Sequence, residues 1–286
     1  MPAMASPQVV AHRGASAERA EHTLGAYQVA LDQGADALEC DVRVTRDGHL
    51  VCVHDRRVDR TSSGRGVVSE LTLPAMSRFD FAHWHHELPE SADELVFEPR
   101  ASAAVGAAQR RILTFDDLLG LVRAQRRRIR LFAETKHPVR YAGLVEAKLT
   151  AALARHGVSA PAHKDESPVV MMSFSSAAVR RFRADAPGVP TVLLFDRASR
   201  AVRAGELPRW ADLAGPSIRL LRRDPELAGR WAARGRDTYC WTVDDPADVE
   251  LCRRAGVRFV ATNRPGATRL RLSGGCPGTS VAVAAR

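Results

Sequence analysis

The residues with the clearest chemical meaning lie between His12 and His54, and include an arginine and two acidic side chains. Each histidine follows directly on a short apolar run, and Arg13 is next to the first of them. Glu39 and Asp41 lie two residues apart in a third such run. Imidazole exchanges protons near neutral pH, guanidinium binds phosphate oxygens, and paired carboxylates suit a divalent cation. Together these residue types indicate chemistry at a phosphodiester.

Glu39 and Asp41 are predicted to share one face of a strand, because alternate residues of a strand point the same way. Two carboxylates about 4 Å apart repel by about 4 kcal/mol at an effective dielectric constant near 20, and a bound cation removes that cost. A later apolar run ends in Glu134 and Lys136 with the same spacing. Glu134 is therefore a candidate third carboxylate, and Lys136 a candidate partner for phosphate oxygens.

Each of these elements also has a simpler interpretation. A lone Glu-x-Asp is most often a solvated strand face, and a histidine at a strand end is usually structural. A Glu–Lys pair on the surface contributes at most about 1 kcal/mol. The complete set favours a functional site, because both histidines and both carboxylates fall within one strand–helix–strand–strand unit.

The motifs around these residues resemble those of the glycerophosphodiester phosphodiesterase family. The resemblance runs from about Val9 to Gly266, which is nearly the whole chain. In chain order the matching segments are HRGAS, EHT, ECDVRVTRDGHLVCVHD, FAETKHP, FSS, CWTVD and TNRPG.

The resemblance implies a hydrolase that uses one divalent cation, Mg²⁺ or Ca²⁺, to split a glycerophosphodiester into sn-glycerol 3-phosphate and an alcohol. It implies that Glu39, Asp41 and Glu134 hold the cation, since oxygen ligands suit either ion. His12 and His54 are then the general acid and the general base, in an order that the sequence leaves open.

The resemblance also implies which residues contact the substrate. Arg13 and Lys136 are expected to bind phosphate oxygens. Phe174 and Trp241 match positions that form an apolar wall beside glycerol, although Phe174 is equally well explained as barrel core.

Two further residues are expected to support the site, and several positions depart from the family pattern, among them Val257-Arg258-Phe259, where Val-Asp-Gly is common. Glu21 lies in Ala-Glu-His-Thr, where the family usually has Pro-Glu-Asn-Thr, and is expected to orient Arg13 or the surroundings of the cation. Asn263 is expected to brace the end of the last strand. Asp244 stands where the family commonly has asparagine, which affects the expected substrate contacts.

The elements that position these residues follow a regular strand–helix alternation. Eight strands are predicted near positions 9, 38, 130, 170, 192, 218, 239 and 258, with helices between them. This α/β alternation predicts a TIM (β/α)8 barrel, whose active-site residues lie at the carboxyl ends of the strands. An open doubly wound sheet is the alternative. Leu50–Val53 is predicted to be an extra hairpin arm, and the sixth strand, Ser217–Leu221, has a weak pattern.

A single barrel domain is predicted over residues 7–272. A small insertion over about 71–111 follows the second strand and contains three histidines around Trp84, to which we assign no catalytic role. Residues 273–286 lack periodicity and are predicted to be a disordered tail.

The composition is that of an ordinary soluble globular protein, with 45% hydrophobic and 26% charged residues in 286. No apolar run approaches the roughly 18 residues that cross a bilayer. The N-terminal segment has no signal-peptide pattern, and the five cysteines form no CxxC pair. We therefore expect a cytoplasmic protein that binds a small glycerophosphodiester and has no stable membrane insertion. The sequence leaves its oligomeric state open.

The net charge of +9 raises the alternative of a basic nucleic-acid-binding protein with a vestigial barrel. Of 42 basic residues, only Lys136, Lys148 and Lys164 are lysine, and the arginines are scattered along the chain. This pattern is typical of a codon bias, so no nucleic-acid partner is expected. A second alternative is a lysophospholipase D-like enzyme, in which the 71–111 insertion adds an apolar channel for acyl-bearing substrates.

Overall fold

Nine strands form the sheet of this protein, whose structure is a computed structural model that describes residues 6–86 and 110–274. Eight of them are parallel and join in the order β7-β6-β5-β4-β2-β1-β9-β8, and β3 pairs antiparallel with β2. The strands are β1 (Gln8–Ala11), β2 (Ala37–Val44), β3 (Leu50–Cys52), β4 (Arg130–Thr135), β5 (Val169–Ser173), β6 (Thr191–Phe195), β7 (Leu213–Pro216), β8 (Tyr239–Cys240) and β9 (Phe259–Thr262).

The sheet curls into a nearly closed barrel, and its two end strands meet through isolated parallel bridges. Ala214 of β7 pairs with Thr238, and Ser217 pairs with Trp241 just after β8. The predicted TIM barrel is therefore confirmed, and the open doubly wound sheet is not the fold. The predicted hairpin arm is also present as β3.

Helices connect the strands and cover the outside of the barrel. Within the described ranges they are α1 (Leu24–Asp32), α2 (Leu73–Met76), α3 (Phe115–Arg123), α4 (Leu144–Arg155), α5 (Ser176–Asp185), α6 (Arg200–Arg203), α7 (Ile218–Arg223), α8 (Leu227–Ala232), α9 (Pro246–Arg254) and α10 (Pro265–Leu272).

Short polar side chains start several of these helices by accepting a hydrogen bond from a free backbone N–H of the first turn. Thr23, Thr114 and Asp245 do so for α1, α3 and α9. The sequence did not predict α10, whose first turn contains Pro265.

The predicted sixth strand over Ser217–Leu221 is wrong. The strand is Leu213–Pro216, and the residues after Ser217 form α7, for which the Ser217 hydroxyl is the N-cap. Glycine and proline in β7 weaken its strand signal. The apolar residues that suggested a strand, such as Leu220 and Leu221, are instead the buried face of a helix.

Side chains of the barrel strands alternate between the helix layer and the barrel interior. In β2, Leu38 packs against the helix layer, whereas Ala37 belongs to the interior cluster. Aromatic rings fill that interior: the Phe132 ring centroid lies 4.9 Å from that of Tyr239 and 5.1 Å from that of Phe259. The barrel is thus a packed apolar core below its carboxyl end.

Parts of the predicted insertion and tail lie outside the described residues, namely 87–109 and 275–286. The described start of the insertion contains α2 and a 3₁₀ helix over His83–His86. The limits of a single domain at 7 and 272 stay a prediction. In the described part of the chain, no helix combines the length and apolar character needed to cross a membrane.

Gly14 provides a test of how the chain turns between β1 and α1. Its φ is +84°, and a Cβ atom there would lie 2.7 Å from the carbonyl carbon and Cβ of Ala26. We expect Gly14→Ala to lower the free energy of unfolding by about 2–4 kcal/mol through backbone strain and steric overlap. The measurement is denaturant unfolding.

Gly120→Ala in α3 is the matched control, because nothing lies within 4 Å of the added Cβ. It should raise the unfolding free energy by up to about 1 kcal/mol, since alanine is the better helix former. Equal effects of the two substitutions would contradict the proposed close approach at Gly14.

Candidate active site

The ionisable and aromatic residues of the site reach the carboxyl end of the barrel because they continue the interior faces of the strands. An interior residue is followed two positions later by a side chain on the same face. The pairs are Val10 and His12, Ala37 and Glu39, Phe132 and Glu134, Met172 and Phe174, Tyr239 and Trp241, and Ala261 and Asn263.

Glu39, Asp41 and Glu134 form a compact acidic cluster at this end of the barrel. One carboxylate oxygen from each residue lies within 4.8 Å of the other two. Asp41 and Glu134 are direct partners in the register of β2 and β4. The three residues are only 0%, 1% and 7% exposed, so water screens their repulsion poorly.

Burial and neighbouring charges shift the pKa values of these three groups in different directions. Burial, followed by the charge of Asp41, raises the pKa of Glu39 well above its ordinary value. The same two causes raise the pKa of Glu134 to about 8. Burial also opposes ionisation of Asp41, but the hydrogen bond from His22 and the charge of Lys136 outweigh it and lower that pKa. Burial and the charge of Asp41 therefore disfavour ionisation of Glu39 and Glu134, whereas the neighbours of Asp41 favour its charged form.

The donor set of the cluster suits a hard divalent cation. Glu39 Oε2 accepts a hydrogen bond from the backbone N–H of Arg13 at 2.8 Å. Glu39 Oε1 is buried and has no hydrogen-bond partner among the described residues. An unpaired buried carboxylate oxygen is unfavourable, and three carboxylates supply the all-oxygen ligation that Mg²⁺ and Ca²⁺ prefer.

Two cationic side chains contact the cluster. Lys136 Nζ lies 2.7 Å from Glu134 Oε1 and 3.3 Å from Asp41 Oδ1. Arg13 Nε lies 3.2 Å from Asp41 Oδ2. The backbone of Arg13 has φ +61°, which lets its N–H reach Glu39 while its side chain reaches Asp41. The charges on the two cations offset part of the repulsion within the cluster.

His22, which the sequence analysis did not single out, holds Asp41 in place. Its Nε2 lies 2.9 Å from Asp41 Oδ2, and its Nδ1 lies 2.9 Å from the Tyr27 hydroxyl. His22 is 5% exposed and has φ +60°. Among the described residues, only Arg13 and His22 are non-glycine residues with positive φ, and such strain concentrates at functional sites. The departure from asparagine at this position was the available signal.

A chain of hydrogen bonds fixes the ring of His12. Asp244 accepts from the backbone N–H of Asn263 at 2.7 Å and from its Nδ2 at 2.6 Å. Asn263 Oδ1 is thereby turned to His12 Nδ1, at 2.8 Å. Because an amide oxygen only accepts, Nδ1 carries the proton and Nε2 is left as a base. Burial, followed by the charge of Arg13, lowers the pKa of His12 to about 4.

His54 has a charged partner instead of an amide. Its Nδ1 lies 2.7 Å from Asp55 Oδ1, and its backbone carbonyl accepts hydrogen bonds from Arg43 at 3.0 and 2.8 Å. An ionised carboxylate only accepts, so Nδ1 of His54 also carries a proton. Burial lowers the pKa of His54, although its side chain is 33% exposed.

Phe174 and Trp241 form an aromatic wall. Their rings meet edge to face with centroids 5.1 Å apart, and Trp241 Nε1 donates to the Gly215 carbonyl at 2.8 Å. Phe174 is 45% exposed. This exposure excludes the interpretation of Phe174 as barrel core.

The structure brings the predicted site residues to one place. A pocket of about 130 Å³ is lined by His12, Arg13, Glu39, His54, Glu134, Lys136, Phe174 and Trp241. Asp41 completes the acidic cluster, Glu21 accepts a hydrogen bond from Arg13 at 3.2 Å, and Asn263 holds His12. The catalytic and binding roles of these residues stay predictions.

An eight-stranded barrel with perturbed ionisable groups gathered at the carboxyl ends of its strands defines a TIM-barrel enzyme. The model of the glycerophosphoryl diester phosphodiesterase family matches residues 12–267. The chain therefore belongs to this family and is an enzyme of this class.

Individual relatives agree with that assignment. "Probable glycerophosphodiester phosphodiesterase 1" of Mycobacterium tuberculosis H37Rv is 48% identical over 269 residues, which are 94% of this chain and 93% of the relative. Glycerophosphodiester phosphodiesterase of Bacillus subtilis is 31% identical over 261 residues, covering 90% and 83% of the two chains.

Solved structures share the fold. An Oleispira antarctica phosphodiesterase in complex with the product sn-glycerol-3-phosphate has a TM-score of 0.75 at 20% identity, over 94% of this chain and 97% of that one. Glycerophosphodiester phosphodiesterase of Agrobacterium tumefaciens has a TM-score of 0.70 at 24% identity, over 93% and 99%.

Substitutions of His22 separate its backbone role from its hydrogen bonds. We expect His22→Ala to lower the free energy of unfolding by about 2–3 kcal/mol, since alanine disfavours positive φ and leaves Asp41 without this donor. His22→Asn should cost about 1 kcal/mol or less, because asparagine tolerates the left-handed region and can donate locally. Chemical denaturation of both variants gives the comparison, and equal losses would contradict the role of backbone strain.

Proposed function

We propose that this enzyme hydrolyses glycerophosphodiesters to sn-glycerol 3-phosphate and an alcohol with one divalent cation, Mg²⁺ or Ca²⁺. The observation that carries the proposal is the buried cluster of Glu39, Asp41 and Glu134 in a pocket that also contains two histidines. The names of the relatives and the product bound to the Oleispira antarctica phosphodiesterase support the class of substrate.

Glu39, Asp41 and Glu134 would hold the cation. When bound, it offsets their repulsion and withdraws electron density from a phosphoryl oxygen. Arg13 and Lys136 bind the remaining phosphate oxygens, the first through planar donors and the second as a point charge. Both stabilise the negative charge that builds up on these oxygens as the nucleophile attacks.

His12 is the general base in this mechanism. Its Nδ1–H is engaged by Asn263, so the unprotonated Nε2 is the atom that accepts a proton. That proton comes from the attacking group, which is a water or the neighbouring glycerol hydroxyl. Attack by the hydroxyl forms a cyclic phosphodiester, which a water must then open to give sn-glycerol 3-phosphate. The neutral ring favoured by burial is the form that a base requires.

His54 is the general acid. Its partner Asp55 is an anion, which stabilises a protonated imidazole in a way that the neutral Asn263 amide does not for His12. As the new P–O bond forms, the bond to the alcohol breaks, and the departing oxygen takes the proton from His54 Nε2. The different partners of the two rings support this division of roles, which the sequence leaves open.

The aromatic wall formed by Phe174 and Trp241 borders the pocket beside these groups. We assign it to the carbon face of glycerol, which has no charge to recognise. An acyl-bearing substrate would need a channel from the 71–111 insertion, and most of that segment lies outside the described residues. A cytoplasmic location stays a prediction.

The cation is tested by its removal. We expect excess chelator to abolish release of sn-glycerol 3-phosphate from glycerophosphocholine, and added Mg²⁺ or Ca²⁺ to restore it. Glu39→Gln should lower kcat/KM at least about 100-fold because the cluster loses a ligand. Glu226→Gln is the control, since Glu226 is 88% exposed and pairs only loosely with Arg230. Full activity in excess chelator would exclude the cation from the mechanism.

The two histidines are tested separately. His12→Ala and His54→Ala should each lower kcat at least about 100-fold with unchanged circular dichroism. A substrate with a good leaving group, such as a p-nitrophenyl phosphodiester, should rescue His54→Ala more than His12→Ala, since it needs no acid. His49→Ala, whose side chain is 53% exposed, is the control. Equal rescue of both variants would contradict the assigned roles.

A further inference from the structure

The loop after β3 carries an arginine that the proposed mechanism does not use. Val58 anchors this loop: it is fully buried, and its N–H donates to the Gly66 carbonyl at 3.0 Å. Val58 packs in a cluster with Val51 and Val53 at the end of the hairpin arm. Arg60 lies two residues after this anchor, and His54, which lines the pocket, lies four residues before it.

Arg60 joins two carboxylates from different parts of the chain. Its Nε donates to Asp55 Oδ2 at 2.6 Å. Its Nη1 and Nη2 donate to Glu21 Oε2 and Oε1 at 3.0 and 2.8 Å. Three donors of one planar guanidinium are thus used at once, in a fork that matches a carboxylate.

Each of these two carboxylates also contacts a residue of the proposed mechanism. Asp55 Oδ1 is the partner of His54 Nδ1 at 2.7 Å, and Glu21 Oε1 is the partner of Arg13 Nη1 at 3.2 Å. The sequence of contacts therefore runs from His54 through Asp55, Arg60 and Glu21 to Arg13. These are the proposed proton donor and a proposed phosphate ligand.

We propose that Arg60 is a positioning residue that sets His54 and Arg13 relative to each other through its bridge between Asp55 and Glu21. This inference rests on the proposed function of those two residues. Arg60 does not contact the substrate in this role. It fixes the distance between the group that binds phosphate and the group that protonates the leaving alcohol.

The charges of the bridge are consistent with this role. Burial raises the pKa of Glu21, but the hydrogen bond from Arg60 and the charge of Arg13 outweigh it and lower that pKa to about 2. For Asp55, burial is likewise outweighed, first by the hydrogen bond from Arg60 and then by that from His54, and its pKa falls to about 2. Both groups stay ionised, and therefore stay acceptors, over the whole working range of pH.

A neighbouring ion pair shows what an ordinary surface contact looks like in the same loop. Arg57 Nε and Nη2 both donate to Asp59 Oδ2, with side chains 55% and 37% exposed. Glu21, in contrast, is 10% exposed in its contact with Arg60. Among the described residues, the Arg57–Asp59 pair is not hydrogen-bonded to His54 or Arg13. Arg57 is therefore a matched control.

The experiment compares kcat and KM for glycerophosphocholine in R60A, R60K and R57A, with E21Q and D55N as the two separate branches. We expect E21Q mainly to raise KM, because Arg13 loses its orientation, and D55N mainly to lower kcat. R60A should do both and lower kcat/KM at least about 10-fold. Adding R60A to the E21Q/D55N double variant should change kcat/KM less than about 2-fold, since the bridge is already broken.

Chemical rescue of R60A and the kinetics of R60K distinguish a positioning role from loss of folding. R60A should regain activity with added guanidinium chloride at tens of millimolar, and sodium chloride at the same concentration should not restore it. If R60A does not fold, R60K decides: an ammonium cannot reproduce the three-donor fork, so its kcat/KM should still fall about 5-fold or more. Wild-type kinetics in folded R60A or in R60K would overturn the inference.

A spectroscopic measurement separates this inference from the proposed function. The imidazole nitrogen resonances of His54, assigned with H54A, should shift in R60A and stay unchanged in R57A, without any substrate. An inactive wild-type protein would overturn the proposed function, whereas unchanged His54 resonances in R60A would overturn the bridge.

Discussion

Repulsion among three buried carboxylates is the constraint on which the rest of this site depends. Glu39 and Asp41 share one face of β2, and Glu134 faces them from β4, so the strand geometry alone brings them together. Water cannot screen them, because none is more than 7% exposed. An uncompensated buried charge at such a place costs several kcal/mol, so neighbouring charged and polar side chains must offset it. The contacts of Lys136 and Arg13 follow directly from that requirement.

The acidic cluster has the apolar interior of the barrel on one side and the pocket on the other. The rings of Phe132, Tyr239 and Phe259 fill the interior on the amino-terminal side, which keeps water from reaching the carboxylates from below. The pocket opens on the other side, between the aromatic wall and the two histidines. This asymmetry explains why His12, Glu39 and Glu134 of the proposed mechanism continue interior strand faces.

The sequence predicted best those residues whose position depends on strand alternation alone. Glu39, Asp41 and Glu134 lie together because period-two geometry and parallel pairing leave no other arrangement. The error at the sixth strand has the opposite origin: Leu213–Pro216 has little strand propensity, and tertiary pairing decides its conformation. His22 and Arg60 were missed for a related reason. Their partners Asp41 and Glu21 lie 19 and 39 residues away in sequence, and no local pattern records such contacts.

The choice between lysine and arginine in this site has a physical reason in a chain that has 39 arginines and three lysines. Lys136 must fit its charge between Asp41 Oδ1 and Glu134 Oε1, at 3.3 and 2.7 Å, while His22 and Arg13 contact the other oxygen of Asp41. A compact ammonium can do this, whereas a planar guanidinium would engage a carboxylate through both of its oxygens. Arg13 and Arg60 have the converse task, because each joins groups that lie on different segments. The extended fork of arginine meets that need, whereas the compact ammonium of Lys136 fits between two carboxylates that lie close together.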